Sequence, residues 1–208
     1  MAVAARCSVE FDRLQPTNTN FSCLQPTEEF FYQVQGSMIL KVIDESTEQF
    51  QDIVIPEDGM FMLPPNTPHS PCRFENTVGL VVERTRPEGG EDEMRWYCPN
   101  IAAHQGKPHI VKRVRFECHD LGTQLKPIIQ SWADDEQGRK CSGCGHVAGV
   151  RELPGGLKRP EEVEREQQMQ SQSQSQSQSQ SQSSGVEAQL MADTPAAQSD
   201  AAVAPSKA

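Results

Sequence analysis

The sequence predicts one folded core of all-β sandwich or barrel class, and three observations support this organisation. Between residues 30 and 83, short segments of alternating apolar residues are separated by turn residues at a spacing of roughly eight to twelve positions. Residues 158–208 carry a Ser-Gln repeat and an Ala-rich stretch, a composition that cannot offset the entropy of ordering. No apolar run approaches the roughly 18 residues that a membrane-spanning helix needs. A single folded core followed by a disordered tail is therefore expected.

Five strands are predicted in the first half of the chain. Each has β-forming residues and ends at a turn signal, such as Gly36-Ser37, Asp58-Gly59 or Pro64-Pro65. Residues 1–27 show little pattern. The predicted strands are residues 30–34, 38–43, 50–55, 60–63 and 77–83.

The second half of the chain predicts a smaller region. Residues 84–93 form a charged, glycine-containing loop, and the region begins at Arg95-Trp96-Tyr97-Cys98. A strand is expected over residues 110–116, and a short helix within 125–132 is expected to begin near Pro127. The expected domains are a barrel over 1–94, a C-terminal extension over 95–157 and a disordered tail over 158–208.

Charge and cysteine content restrict the partners and the compartment. The 208 residues carry a net charge of −10, which argues against nucleic acid because phosphate binding needs Lys and Arg. The apolar part of the N-terminus is too short for a signal peptide, and no membrane partner is expected. Seven irregularly spaced cysteines without an export signal favour a reducing cytoplasm, where paired cysteines bind metal more often than they form disulfides.

Four polar residues interrupt the apolar pattern: Glu29, His69, Arg73 and Glu83. Taken singly, each has a plainer interpretation as a solvated or packed side chain. However, Glu29 precedes Gly36 by seven residues, and Pro64-x-Asn66-x-x-His69 places a histidine after a rigid turn. A carboxylate and an imidazole that face each other inside a barrel suit a non-haem ferrous ion. Glu83 ends an apolar run and needs a partner, which could be a ligand or Arg73.

These two spacings match the halves of the cupin signature, and longer strings are more specific. The chain resembles the 3-hydroxyanthranilate 3,4-dioxygenase family over residues 28–98 and 119–145. The strings that carry the resemblance are Glu-Glu-Phe-Phe-Tyr-Gln, Phe-Met-Leu-Pro-Pro-Asn-Thr-Pro-His-Ser-Pro, Thr-Val-Gly-Leu-Val-Val-Glu, Arg-Pro-Glu-Gly and Arg-Trp-Tyr-Cys. The resemblance implies a cupin (jelly-roll) barrel and a homodimer.

The resemblance also implies an activity and its residues. Glu29 and His69 would bind Fe(II), Arg73 would hold the substrate carboxylate, and Glu83 would hold its ring amine or hydroxyl. The substrate would be 3-hydroxyanthranilate, opened by O2 to 2-amino-3-carboxymuconate semialdehyde on the kynurenine route to NAD. A catalytically inactive paralogue that only binds an aromatic acid is the alternative.

The N-terminal part departs from the family pattern. Cys23 stands where the family has a histidine that binds the iron, and Thr19 stands where it has an arginine. A Cys–His–Glu site is chemically feasible, although a thiolate would alter the iron's potential and oxidises easily. Three explanations stay open: a misread 5′ gene model, which we favour, a degenerate paralogue, or a genuinely altered site.

A second metal site is predicted near the end of the folded part. Cys141-x-x-Cys144 is a rubredoxin-like knuckle, and Cys98 matches a further ligand in family members with a second, structural iron or zinc ion. The fourth ligand could be His104, Cys118 or His119. Free cysteines are the plainer interpretation, and an interaction protein built on the knuckle and tail is a third functional hypothesis.

Overall fold

The computed structural model describes residues 21–175, and the strands of both its sheets pair in the antiparallel sense. Nine strands precede one helix of 14 residues within this part of the chain. The elements are β1 Phe21–Leu24, β2 Glu29–Gln35, β3 Met38–Asp44, β4 Gln49–Ile55, β5 Met60–Leu63, β6 His69–Cys72, β7 Val78–Glu83, β8 Glu91–Tyr97, β9 Ile110–Glu117 and α1 Leu121–Asp134.

Two sheets enclose one apolar core. The larger sheet has the strand order β4-β3-β6-β1-β8-β9, and the smaller has the order β5-β2-β7. Alternate residues of each strand point inward, as the pleat requires. The core residues come from both sheets, which confirms the predicted all-β class and its cupin-type arrangement. They are Phe31, Met38, Leu40, Val42, Ile55 and Leu63.

All five strands predicted in the first half are present, and so is the strand predicted over 110–116. Three further strands, β1, β6 and β8, lie outside the predicted set. β1 is only four residues long and pairs with β6 and β8, and β8 occupies part of the expected charged loop. The expected domain boundary after residue 94 is therefore wrong, because it falls inside β8, which pairs with strands on both sides.

Helix α1 begins earlier than predicted. Asp120 caps it by accepting a hydrogen bond from the Gly122 N–H at 3.0 Å, so Pro127 lies inside the helix instead of starting it. The helix packs on the larger sheet through Trp132, which stacks on Trp96 with ring centroids 5.1 Å apart. This stack lies in a second apolar cluster, with Met94 and Ala148, that joins the C-terminal region to the larger sheet.

The expected disordered tail is partly wrong. Residues 160–175 are helical, and Val163 is buried with Ile39, Cys72 and Leu153 against the larger sheet. One compact unit ends at Glu164, and a second begins at Arg165. Residues 176–208, with most of the Ser-Gln tract, lie outside the described residues, as do residues 1–20, which include Thr19. Among the described helices, none has the length and apolar character that crossing a membrane requires.

Candidate active site and metal centre

A rigid turn delivers His69 to the barrel interior. Pro64 and Pro65 end β5, and Asn66 adopts a left-handed conformation with φ of 57° that asparagine tolerates. The Asn66 N–H donates to the Gln25 carbonyl at 2.8 Å, which ties the turn to the loop after β1. His69 is then the first residue of β6 and is almost completely buried.

His69 and Glu29 form a buried pair. His69 Nε2 lies 3.1 Å from Glu29 Oε1, and both side chains are at most 5% exposed. His69 Nδ1 lies 3.0 Å from the Thr67 carbonyl, which can only accept, so Nδ1 carries the proton. In the neutral ring, Nε2 therefore has the free lone pair, as a metal ligand requires.

The pKa of His69 is raised above its ordinary value of 6.5. Burial alone lowers it, but the hydrogen bond and negative charge of Glu29 outweigh burial. The ring therefore holds its second proton more tightly in the metal-free protein than a free histidine does. A metal ion at Nε2 would have to displace that proton.

Cys23 faces the same interior region. It is the direct partner of His69 in the β1–β6 pair, and paired residues present their side chains to one face of a sheet. Burial, followed by the charge of Glu29, raises the pKa of the Cys23 thiol far above its ordinary value. The thiol is thus protonated at neutral pH in the metal-free protein.

Glu83 also faces this region, opposite Glu29. The two residues are partners in the β2–β7 pair, and burial followed by the Glu29 charge raises the pKa of Glu83. Its cationic partner is Arg86, whose Nη1 donates to Glu83 Oε2 at 2.5 Å. Arg86 also binds Asp92 with two nitrogens, at 2.7 and 3.1 Å. Arg86 was not among the partners expected for Glu83.

Arg73 lies further along the same barrel face. Its Nη1 donates to Gln33 Oε1 at 3.3 Å, and Gln33 Nε2 donates to the Gly36 carbonyl at 2.9 Å, which fixes the amide's orientation. A Cβ atom on Gly79 would come within 2.3 Å of Arg73 Nη1 and 2.1 Å of Gln33 Oε1. Gly79 is therefore required for Arg73 and Gln33 to meet beneath β7.

The interior residues fit a divalent metal ion. Glu29 and His69 supply an oxygen and a nitrogen donor on facing strands, a set that suits Fe(II). When Glu29, Glu83, Asp92 and Arg86 are all ionised, three negative charges face one positive charge, and the excess would be balanced by a dication. Cys23, the strand partner of His69, is the candidate for a third donor beside Glu29 and His69. Its thiol is a softer ligand than the imidazole that more commonly binds ferrous iron.

A second cluster contains four potential ligands. Cys98, His104, Cys141 and Cys144 place one donor atom each within 4.8 Å of one another. Cys98 and Cys144 sulfurs are 3.6 Å apart, and Cys141 Sγ is 3.5 Å from His104 Nε2. Of the three candidates for the fourth position, His104 is the residue found there. A Cys₃His set is typical of a closed, tetrahedral structural zinc site.

The short turn Ile101–His104 explains this arrangement. Asn100 caps the turn by accepting a hydrogen bond from Ala103 N–H at 3.3 Å, so His104 folds back toward Cys98. The His109 ring stacks on His104 with centroids 4.3 Å apart. A Cβ atom on Gly143 would lie 2.9 Å from the His104 ring, so the knuckle needs glycine at this position.

Sequence reasoning missed three residues that shape the site: Gln33, Arg86 and Asp92. One signal was available for Asp92. Alternate residues of a strand point to the same face, so Asp92 should face inward with the apolar Met94 and Trp96. Arg86 lies in a stretch that resembled a solvated loop, and only the folded chain brings it to Glu83. The predicted residues Glu29, His69 and Glu83 do come together, with Arg73 beside Gln33 on the same face.

The fold and the buried pair define a cupin-type barrel with metal-ligand chemistry inside it. The family model described as 3-hydroxyanthranilic acid dioxygenase matches residues 15–133. The 3-hydroxyanthranilate 3,4-dioxygenase of Mycosarcoma maydis is 66% identical over 130 residues, which are 62% of this chain and 71% of the relative. The protein of the same name from Podospora anserina is 46% identical, over 66% of this chain and 71% of that relative.

An Aspergillus oryzae protein named 3-hydroxyanthranilate 3,4-dioxygenase 2 is 52% identical to this chain, over 59% of this chain and 66% of that relative. Among solved structures, a variant of oxalate decarboxylase from B. subtilis aligns at 15% identity, covering 63% of this chain and 33% of that chain with a TM-score of 0.30. The chain belongs to the 3-hydroxyanthranilic acid dioxygenase family.

Proposed function

We propose that this chain uses O2 to open the ring of 3-hydroxyanthranilate between carbons 3 and 4, yielding 2-amino-3-carboxymuconate semialdehyde. The observation that carries the proposal is the buried contact between His69 Nε2 and Glu29 Oε1 at 3.1 Å. Relatives that are up to 66% identical bear the name of this activity. Both atoms of O2 enter the product, so no further reductant is needed.

Two residues would bind and orient the substrate. The Arg73 guanidinium matches a carboxylate in shape and charge and would hold the ring's carboxylate with paired hydrogen bonds. Glu83 would accept a hydrogen bond from the ring amine or hydroxyl with the carboxylate oxygen that Arg86 leaves unoccupied. The apolar lining around Phe31 would exclude water from the ring and strengthen both interactions.

Glu29 and His69 would hold a ferrous ion, and Cys23 is the residue available as a third donor. When bound, this ion supplies the electron-transfer chemistry through which O2 reacts with an aminophenol. The His69 ring is already oriented for this role by the Thr67 carbonyl, which holds the proton on Nδ1.

A steady-state assay tests the proposal. Purified chain is loaded with Fe(II) without oxygen, and O2 uptake and ring-opened product are then followed with 3-hydroxyanthranilate. Arg73→Lys keeps the charge but loses the paired hydrogen bonds, so we expect KM to rise about tenfold or more while iron content is unchanged. Substrate binding without any product from the iron-loaded chain would contradict the proposed reaction.

We further propose that Cys98, His104, Cys141 and Cys144 hold a structural zinc ion. Four donors within 4.8 Å and the Cys₃His composition support zinc over iron. Metal analysis of the chain, with His104→Ala as the comparison, tests this assignment. The expected result is one zinc per chain that is lost or weakened in the variant.

The compartment and assembly are also proposals. We propose that the protein works in the cytoplasm as a homodimer, without membrane or nucleic-acid partners. The six described cysteines are all free, which supports a reducing compartment. Sedimentation of the purified chain tests the dimer, and a purely monomeric species would contradict it.

A further inference from the structure

Arg86 makes more polar contacts around the candidate site than either Glu29 or His69. Its side chain is 15% exposed and reaches three acceptor side chains. Nη1 donates to Glu83 Oε2 at 2.5 Å, and Nε and Nη2 donate to Asp92 Oδ1 and Oδ2 at 3.1 and 2.7 Å. Nη2 also donates to Gln25 Oε1.

The contact with Asp92 fixes the guanidinium plane. Two parallel hydrogen bonds to one carboxylate define both position and orientation, which a single bond does not. Asp92 is 6% exposed and lies on β8, inside the larger sheet, so the anchor itself is rigid. Nη1 is then directed at Glu83, at the end of β7 in the smaller sheet.

The contact with Gln25 extends the network to the residues that flank the buried pair. Gln25 lies two residues after Cys23 and four before Glu29, and it is 5% exposed. Its backbone carbonyl accepts from the N–H of Asn66, in the turn that delivers His69. One guanidinium thus connects β7, β8 and the β1–β2 loop on which the site is built.

Electrostatics require a cation at this position. Glu83 and Glu29 are direct partners across β2 and β7, so the buried Glu29 carboxylate and the partly buried Glu83 carboxylate lie side by side. Without a neighbouring positive charge, Glu83 would turn away or stay protonated. Arg86 donates to Oε2, and Oε1 keeps both of its lone pairs to accept a hydrogen bond from a ligand.

We propose that Arg86 is a positioning residue that holds the Glu83 carboxylate toward the ring amine or hydroxyl of a bound aminophenol. The inference rests on the proposed function, because it takes Glu83 as a substrate contact. Arg86 itself does not touch the substrate. Its effect should therefore disappear when the Glu83 carboxylate is absent.

A double-mutant cycle tests this dependence. The dissociation constant for 3-hydroxyanthranilate and the steady-state constants are measured for wild type, Arg86→Gln, Glu83→Gln and the double variant, each with its metal content determined. We expect Arg86→Gln alone to weaken binding roughly tenfold and to raise KM more than it lowers kcat. In the Glu83→Gln background the same change should weaken binding by less than about twofold.

Two further variants separate positioning from folding. Arg86→Lys keeps the charge but cannot bind Asp92 with two nitrogens, so we expect a loss of 3-hydroxyanthranilate affinity between those of wild type and Arg86→Gln. This variant provides the test if Arg86→Gln does not fold. Arg84→Gln is the matched control, because Arg84 is about half exposed and pairs only with the exposed Glu28 among the described contacts. It should bind substrate as wild type does.

The outcomes are distinct. Equal losses from Arg86→Gln in both backgrounds, or no loss in either, would overturn the role of Arg86 while leaving the proposed function intact. A wild-type chain and an Arg84→Gln chain that both contain iron but bind no 3-hydroxyanthranilate would overturn the proposed function, and the role of Arg86 with it.

Discussion

At the scale of single residues, the site depends on one imidazole, three carboxylates and one thiol that share a buried space. The orientation of His69 follows from the Thr67 carbonyl, and its environment follows from Glu29. Cys23 is the direct partner of His69 across β1 and β6, and burial keeps its thiol protonated in the metal-free protein. The chemistry of the metal centre should therefore respond to a change at this one position.

Cys23→His should strengthen Fe(II) binding. An imidazole at this position completes the two-histidine, one-carboxylate set that non-haem Fe(II) favours. We expect the affinity to rise about tenfold or more, because even outer partners of a metal ligand change affinity by that much. Anaerobic titration with Fe(II) measures it, with Cys23→Ala as the control. Equal affinity in Cys23→His and Cys23→Ala would show that position 23 is not a ligand position.

Glu93→Gln should destabilise the fold at neutral pH. The Glu93 side chain is 5% exposed and pairs with Arg95, Arg113 and Arg115. Burial raises its pKa, but these arginines outweigh burial, so the net pKa lies below the ordinary 4.5. A lowered folded-state pKa stabilises the fold above the unfolded pKa, and the benefit is lost as pH falls through the folded pKa.

We expect Glu93→Gln to lower the free energy of unfolding by about 2 kcal/mol near pH 7. This is less than the usual cost of breaking a buried ion pair, because Arg113 and Arg115 are about half exposed. The difference in the free energy of unfolding between Glu93→Gln and wild type should become smaller as pH falls below 4.5. Urea unfolding over a pH series measures this, with the exposed Glu91→Gln on the same strand as the control. A gap that is constant with pH would contradict the electrostatic explanation.

At the scale of strands and turns, alternation predicted most of the elements but not those stabilised by distant partners. β2 to β5, β7 and β9 have β-forming residues bounded by Gly, Pro or Asp. β1 has four residues and gains its hydrogen bonds from β6 and β8, which no local signal shows. β8 carries three consecutive acids, and two of them are buried only because arginines from elsewhere in the sheet and loop neutralise them.

The same limit applies to the candidate site. Glu29 and His69 stood out in the sequence because of the spacing of nearby turn residues, whereas the roles expected for Arg73 and Glu83 followed from the family resemblance. Arg86 and Gln33 were not predictable, because their roles depend on side-chain contacts across strands. His104 could be named only as one of three candidates, since the turn that folds it back to Cys98 has no strong signature.

Gly79→Ala should impair the site more than the fold. The added Cβ would lie 2.1 Å from Gln33 Oε1 and 2.3 Å from Arg73 Nη1, so both side-chain ends must move. We expect KM for 3-hydroxyanthranilate to rise about tenfold or more, because small misplacements of a binding group are costly. Thermal unfolding should change little. Gly122→Ala in α1 meets only an ordinary contact at 3.4 Å and is the matched control.

At the scale of the whole molecule, one compact unit joins the barrel to the C-terminal region. The Trp96–Trp132 stack and the burial of Leu153 and Val163 against the larger sheet make this connection. The Cys₃His cluster lies in the same unit and links Cys98, just after β8, to the knuckle at Cys141 and Cys144. Metal in this cluster should therefore stabilise the unit without taking part in the reaction.

Removal of the structural metal should lower Tm. A metal present at about 100 times its Kd contributes about 2.7 kcal/mol, which corresponds to roughly 5–10 °C for a domain of this size. Thermal unfolding with and without a strong chelator measures the shift in wild type and in Cys144→Ser. Cys118→Ser, outside the cluster, should respond as wild type does. A Tm that does not change on chelation would contradict a structural role for the metal.

We propose the His69–Glu29 pair as the metal centre of a ring-cleaving dioxygenase. The most direct test of this proposal is a single-turnover reaction of the iron-loaded chain with 3-hydroxyanthranilate and ¹⁸O₂, followed by mass spectrometry. We expect a ring-opened product that carries both labelled oxygen atoms, formed by wild type and not by His69→Ala. A product formed equally by His69→Ala, or no ring-opened product from iron-loaded wild type, would contradict it.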